Sequence, residues 1–93
     1  MKPDWYCKLF IRAEMPEEEL LDLINLRLRG ARQGIRTVRT ELLELDLIRN
    51  DEYVPGSQDF LFWRYYADLD AVTEEWAAYV RCIRELMAFL QER

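Results

Sequence analysis

The most regular pattern in the chain is the alternation of apolar and polar side chains over residues 59–70. The odd positions from 61 to 69 are apolar, whereas the even positions mix aromatic and charged residues. Because successive side chains of a β-strand point to opposite faces, this alternation predicts a strand with one face toward a core. The core side should hold Leu61, Trp63, Tyr65, Ala67 and Leu69, and the other side Phe60, Phe62, Arg64, Tyr66 and Asp68.

Similar patterns predict a first strand and two helices. Residues 5–13 alternate in the same way as residues 59–70 and form the first strand. Pro16 and the three glutamates after it predict a helix start, because proline suits the first helical position and carboxylates suit the positive end of the helix dipole. Gly30 or Gly34 is expected to end this helix in a left-handed cap. A second helix is predicted from about Thr73 to the C-terminus, with Thr73 or Asp70 as its cap.

The segment of residues 35–50 fits two patterns. Its first apolar residues match helical spacing, whereas Leu43, Leu45 and Leu47 alternate with two acids. We assign a strand to this segment. The apolar positions change parity within it, which predicts a bulge or a bend near Glu41.

The order of these elements predicts an α+β fold. Residues 50–58 contain a Pro-Gly-Ser run, so they should form a turn that joins the two flanking strands as an antiparallel hairpin. The predicted order is therefore β-α-β-β-α, with a right-handed crossover between the first two strands. This arrangement gives one small domain over residues 1–93, in which two helices pack on one face of a three-stranded, mostly antiparallel sheet. The other face of the sheet is left open.

Composition restricts the classes of function. The chain has 93 residues, of which 51% are apolar and 33% charged, as expected of one globular domain. Charged residues interrupt every apolar run and the start lacks a secretory signal, so we expect no membrane span and a cytoplasmic protein. The chain has no histidine, no glycine-rich phosphate loop and no nucleophile elbow, so we expect no enzymatic activity. Cys7 and Cys82 fit no metal motif and are expected to be free, mostly buried thiols, without a metal or other cofactor.

The net charge of −5 hides one basic segment. Five arginines and no acid lie between residues 23 and 40. The acidic balance of the whole chain argues against a nucleic-acid binder but leaves a local contact with an anion open. Alternatively, the first two arginines favour the negative end of the first helix. The five residues are Arg27, Arg29, Arg32, Arg36 and Arg39.

The open sheet face and the acidic loop beside it form the candidate surface for a protein partner. Aromatic anchors with a charged rim carry binding energy in protein interfaces, and acids suit a basic partner. Arg64 is expected to stack on Phe62 or Tyr66. The same residues also fit a solvated sheet with cross-strand aromatic pairs, or a face covered in a homodimer. The candidate residues are Asp46, Asp51, Glu52, Phe60, Phe62, Arg64, Tyr66 and Asp68.

Residues 43–53 (LELDLIRNDEY) and 59–70 (DFLFWRYYADLD) resemble small bacterial immunity proteins that neutralise polymorphic or contact-dependent toxins. The resemblance implies a cytoplasmic antidote without catalytic residues, whose partner is a cognate, basic toxin domain that it covers. The arginine segment departs from this pattern and leaves open which surface meets the toxin. Two other classes fit the residues as well: a regulatory module that binds a small ligand, and a homodimeric structural domain.

Overall fold

The computed structural model describes residues 5–91. The α+β class is confirmed, but the order is β-α-β-β-β-β-α, with two strands more than predicted. The C-terminal end of the predicted second helix, after residue 91, lies outside the described residues. The elements are β1 (Cys7–Ile11), α1 (Glu17–Leu28), β2 (Ala31–Gln33), β3 (Thr37–Arg39), β4 (Leu43–Arg49), a 3₁₀ turn (Phe60–Phe62), β5 (Tyr65–Ala71) and α2 (Trp76–Gln91).

The five strands form one antiparallel sheet in the order β1-β5-β4-β3-β2. Strands β2 to β5 pair in chain order as a meander, with short connections at residues 34–36 and 40–42 and a longer one at residues 50–64. Strand β1 pairs with the outer side of β5, so α1 connects the two opposite edges of the sheet. The predicted three-stranded sheet, with its crossover between the first two strands, is therefore wrong.

Both helices pack on one face of the sheet, as predicted. Leu45 lies opposite Leu69 and Leu47 opposite Ala67 in the β4–β5 pair, and all four are fully buried. Side chains at the intervening positions are half-buried or exposed, so the opposite face is open. The core therefore lies between the odd-numbered positions of β4 and β5 and the two helices, which contribute Leu20, Leu21, Ile24, Tyr79 and Leu86.

The segment of residues 35–50 forms two strands rather than one. A turn at Thr40 separates β3 from β4, and the Thr40 hydroxyl accepts hydrogen bonds from the N–H groups of Leu42 (3.0 Å) and Leu43 (3.1 Å). The predicted bulge near Glu41 is therefore wrong: the apolar positions change parity because the chain reverses there. Strand β2 was not predicted, because it has three residues and no apolar alternation.

The strand predicted over residues 59–70 begins only at Tyr65. Before it, the Asp59 carboxylate accepts a hydrogen bond from the Leu61 N–H (3.0 Å) and caps the 3₁₀ turn. Such bonds from side chain to backbone compete with a strand. Leu61 and Trp63 were predicted to face the core, but Leu61 is 46% exposed and Trp63 is half-buried. The predicted parity is confirmed from Tyr65 onward and wrong before it.

The helix ends differ from the glycine-based prediction. Pro16 directly precedes the first residue of α1, but Arg29, not a glycine, adopts the left-handed conformation at its C-terminal end (φ 56°). Gly30 instead allows the chain to pack closely against β3. A Cβ at this position would lie 2.8 Å from Val38 Cγ1 and 2.9 Å from the Arg39 carbonyl oxygen. Helix α2 begins at Trp76, after a turn in which the Thr73 hydroxyl accepts a bond from the Glu75 N–H (3.0 Å).

Tyr79 connects α2 to the sheet. Its ring is buried, and its hydroxyl donates to the Trp5 carbonyl (2.6 Å) and lies 3.3 Å from the Leu69 carbonyl. The Trp5 ring stacks on Tyr79 at 6.1 Å. Burial raises the pKa of the Tyr79 phenol to about 12, because the phenolate would lose its hydration.

Alkaline pH is therefore expected to destabilise the fold through Tyr79. An unfolded tyrosine ionises near pH 10, whereas the folded one stays protonated to about pH 12, so stability falls across this window as pH rises. A shift of this size corresponds to roughly 2–3 kcal/mol. Tyr79→Phe should cost about 1 kcal/mol at pH 8 and show a weaker decline toward pH 11 than the unsubstituted protein, by urea unfolding. Tyr53→Phe, at an exposed position, is the control and should decline like the unsubstituted protein.

Candidate functional site

Two pairs of carboxylates face each other on the open side of the sheet. Glu44 lies opposite Asp70, and Asp46 lies opposite Asp68, two positions further along the β4–β5 ladder. Side chains directly opposite in an antiparallel pair are about 5 Å apart at Cβ, so like charges there repel. We call these four residues the acidic face.

Three members of the acidic face have a donor nearby. The Thr37 hydroxyl donates to Asp46 (2.5 Å), and the Arg39 guanidinium donates to Glu44 (3.0 Å). The Tyr6 hydroxyl donates to Asp68, and this bond raises the pKa of the Tyr6 phenol to about 12.

Asp70 is the exception in the acidic face. It is exposed, and in the described part of the chain no hydrogen bond or ion pair reaches its carboxylate. The repulsion in the acidic face is therefore only partly offset.

Aromatic rings border the acidic face on the side of β1. Phe10 lies 5.9 Å from Tyr66 and 5.2 Å from Phe60, measured between ring centroids. The Lys8 ammonium sits 4.3 Å from the centre of the Tyr66 ring. Phe60 is 51% exposed, so this border presents apolar area beside negative charge. We call Phe10, Phe60 and Tyr66 the aromatic border.

The eight predicted site residues divide into three groups. Asp46, Tyr66 and Asp68 lie together on the open face. Phe60 lies at the edge of this face, where its ring contacts Phe10. Asp51 and Glu52 are exposed in the loop after β4. Phe62 and Arg64 belong to the segment before β5 rather than to a strand on the open face.

The predicted stacking of Arg64 on Phe62 or Tyr66 is wrong. Its guanidinium donates to the Glu14 carbonyl (2.8 Å) and lies 5.4 Å from the centre of the Tyr65 ring. Arg64 therefore links the segment before β5 to the connection between β1 and α1.

Glu44 and Asp70 complete the acidic face although they were not among the predicted site residues. Alternation assigns Glu44 to the open face together with Asp46, and Asp70 has the same parity as its predicted neighbour Asp68. Their direct opposition depends on the register between β4 and β5, and a shift of one residue would reverse the faces.

Three of the five arginines of residues 23–40 are engaged within the chain. Arg32 forms an ion pair with Glu18 (3.1 Å) and another with Asp22, which anchors β2 to α1. Arg39 pairs with Glu44 at the rim of the acidic face. The Arg27 guanidinium lies 5.7 Å from the centre of the Phe89 ring, between the ends of the two helices. Arg27 also lies in the last turn of α1, as the helix-dipole alternative expects.

Residues 5–91 contain neither a metal-binding cluster nor a membrane-spanning helix. No group of three or more cysteine, aspartate and glutamate side chains in this range is arranged to hold a metal ion. Cys7 and Cys82 are free and half-buried, and burial raises the pKa of the Cys82 thiol. Over the same residues, no helix has the length and apolar character needed to cross a membrane.

Comparisons with known proteins give no relative. The sequence matches no protein-family model, and neither the curated proteins nor the solved structures contain a significant match. The function is therefore argued from the geometry of the chain.

Neutralising Asp70 is expected to stabilise the fold. Asp70→Asn removes the repulsion with Glu44 and breaks no bond in the described structure, so the free energy of unfolding should rise by about 0.2–1 kcal/mol at low ionic strength. The gain should shrink in high salt, because the ions screen the repulsion. Urea unfolding at two salt concentrations measures both effects. Glu85→Gln on the exposed side of α2 is the control, and an equal gain there would contradict this account.

Proposed function

We propose that this chain is a non-catalytic protein-binding domain whose acidic face docks a basic protein. The supporting observation is the direct opposition of like charges in two residue pairs of the β4–β5 ladder. Such an arrangement lowers the stability of the sheet, and departures from local stability rules are concentrated at functional sites. A partner that brings lysine or arginine side chains would neutralise the opposed carboxylates. Loss of their repulsion would then add to the binding free energy supplied by the new contacts.

The aromatic border supplies the second part of this proposed surface. Exposed rings beside charged groups supply the apolar anchors of protein interfaces. The Phe10 ring contacts both Phe60 and Tyr66, so the three rings are held in place before any partner arrives. The charges would orient an approaching basic protein and the rings would supply contact area.

Within this class, we propose an immunity protein that neutralises a cognate bacterial toxin. The support is the resemblance of residues 43–53 and 59–70, which carry Asp46, Tyr66 and Asp68. An acidic inhibitor of this kind would cover the cationic active-site surface that a nuclease-type toxin uses to hold phosphates. Blocking such a surface requires no catalysis by the inhibitor.

The experiment captures binding proteins from a lysate of the organism that encodes the chain. Three matched variants of the chain serve as baits. The unsubstituted chain is compared with Asp46→Lys/Asp68→Lys and with Glu19→Lys/Glu85→Lys, which changes the net charge equally on the exposed sides of α1 and α2. A protein retained by the first and third baits and lost by the second supports the proposal. Retention of the same proteins by all three baits contradicts it.

The immunity proposal has its own readout. The captured protein is expressed alone and together with the chain. Growth arrest that co-expression relieves supports an immunity protein. A captured protein without toxicity contradicts the immunity proposal and leaves a binding domain with another regulatory partner.

A further inference from the structure

The two edges of the sheet are protected to different degrees. At one edge, β2 has three residues, and the side chain of its central residue, Arg32, forms ion pairs with Glu18 and Asp22 of α1. Short strands and inward-pointing charges are devices that prevent a sheet edge from pairing with another chain. At the other edge, β1 has five residues and neither a proline nor an inward-pointing charge, so a single lysine on the open face, Lys8, is its only protective device.

The register shows which backbone groups β1 leaves unpaired. The Asn50 N–H donates to the Arg64 carbonyl and the Val72 N–H to the Leu42 carbonyl (both 2.8 Å), which continue the even-numbered pairs of the β4–β5 ladder. The even residues of β5 therefore direct their backbone groups toward β4, and its odd residues bond to β1. Their partners in β1 are Cys7, Leu9 and Ile11.

It follows that the N–H and C=O groups of Lys8 and Phe10 point outward from the sheet. Within residues 5–91, no strand covers this side of β1. Two donors and two acceptors are thus aligned at an open edge.

An apolar groove of about 1130 Å³ follows this edge. On the helix side its lining includes Leu23, Met87 and Leu90, and on the open side Phe10 and Phe60. Met87 is 38% exposed, and Phe60 is also exposed. The groove gives an added strand apolar contacts on both of its faces, beside the backbone groups of Lys8 and Phe10.

We propose that the occupant of this edge is β1 of a second copy of the chain, paired antiparallel across a two-fold axis at Leu9. Three registers let the outward residues bond to each other, centred on Lys8, Leu9 or Phe10. Centring on Lys8 sets two lysines face to face, and centring on Phe10 sets Lys8 opposite Arg12. Like charges directly opposite are unfavourable in both cases.

Only the register centred on Leu9 avoids this repulsion, and it also pairs all five residues of β1. It sets Lys8 opposite Phe10 of the second copy, twice by symmetry, which adds cation–π contacts of the kind that Lys8 makes with Tyr66 in its own chain. On the helix side it sets Cys7 opposite Ile11 of the second copy and places the two Leu9 side chains in contact. The strand is thus complementary to itself in charge and in apolar character.

This dimer goes beyond the proposed function, because it uses the backbone edge of β1 rather than the acidic face and shares only Phe10 and Phe60 of the aromatic border with the docking surface. Residues opposite each other in antiparallel strands share a face, so the two acidic faces would lie on the same side of one continuous sheet. The dimer would present two equivalent docking surfaces side by side.

The first test measures mass in solution without any partner. Sedimentation velocity from about 1 µM to about 500 µM should show the unsubstituted chain, of 11.3 kDa, moving to twice that mass as concentration rises.

Lys8→Pro removes the outward N–H and obstructs the added strand, but spares the bonds to β5, because proline is tolerated on an edge where its nitrogen faces solvent. It should raise the dissociation constant of the dimer at least ~30-fold, because a backbone hydrogen bond is lost twice. Lys8→Ala is the control and should raise it less than ~10-fold, because the N–H remains.

A second set of variants tests the register and does not depend on proline. Phe10→Lys sets a cation opposite Lys8 of the second copy and should abolish the dimer. The double variant Lys8→Glu/Phe10→Lys sets opposite charges across both symmetric pairs and should restore it. In the registers centred on Lys8 or Phe10 the same double variant would oppose like charges at the axis. Far-UV circular dichroism and a cooperative unfolding transition verify that each variant is folded.

Several outcomes would overturn the dimer. They are a single 11.3 kDa species at every concentration, a dimer insensitive to Lys8→Pro and Phe10→Lys, or failure of the double variant to restore association. A dimer lost through Asp46→Lys/Asp68→Lys but retained in the β1 variants would place the contact on the open face instead. The first three results leave the capture experiment on the acidic face unaffected, so the two proposals fail separately.

Discussion

Reversing Asp46 and Asp68 to lysine is expected to weaken the complex with the basic partner at least ~100-fold, which corresponds to about 2.7 kcal/mol. Both carboxylates lie in the centre of the acidic face, so the reversal replaces two attractions by two repulsions with the same cationic surface. Isothermal titration calorimetry of the isolated pair measures the effect. The dissociation constant of the unsubstituted complex should also rise with salt concentration, because the charges at the rim are screened.

Two further variants separate the role of the acidic face from net charge and from misfolding. Asp46→Asn/Asp68→Asn keeps the shape of both side chains and should give an intermediate loss of affinity. Glu19→Lys/Glu85→Lys changes net charge by the same amount as the lysine pair at 46 and 68, on the helices. If this control weakened binding as much as the face variant, the interaction would depend on overall charge and the acidic face would not be the docking surface.

Truncation of Leu45 to alanine is expected to lower the free energy of unfolding by about 2–5 kcal/mol. Leu45 is fully buried and lies between Val38 and Leu69 in the centre of the sheet, where the surrounding strands cannot close a cavity. A domain of this size has a total stability of roughly 5–15 kcal/mol, so the loss is a large fraction of it. The effect is measured by urea or thermal unfolding.

Ile48→Ala is the matched control for Leu45→Ala. Ile48 lies on the same strand but on the open face opposite Tyr66, where it is half-buried. Its truncation should cost about 1 kcal/mol, because solvent already reaches the side chain. Equal losses for the two variants would mean that both faces of the sheet are buried to the same extent.

Alternation predicted the central strands well because only one of their faces is covered. Residues 43–47 and 65–69 each repeat an apolar residue at every second position, and the buried residues are the ones that this pattern selects. The pattern thus placed Asp46, Tyr66 and Asp68 on one face before any coordinates were considered. It did not determine which acids oppose each other, because register depends on the turns and on packing between strands.

The segments that alternation misassigned are held by local hydrogen bonds or by packing. Residues 59–64 alternate as a strand would, but the Asp59 cap forms a 3₁₀ turn there instead. At the end of α1 the left-handed position falls on Arg29, because the next residue, Gly30, must lie against Val38 and Arg39 of β3. Neither a single cap nor a close approach between distant residues leaves a periodic signal in the sequence.

The Asn50 side chain forms hydrogen bonds to both ends of the segment between β4 and β5. Its side-chain amide donates to the carbonyls of Leu61 (2.9 Å) and Trp63 (2.7 Å), and its side-chain oxygen accepts from the Glu52 N–H (3.0 Å). A loop held at both ends by one side chain has few conformations to lose when a partner arrives, so little conformational entropy opposes binding through Phe60. Association would then proceed as the meeting of two preorganised surfaces, with a rate set by long-range electrostatic attraction rather than by loop rearrangement.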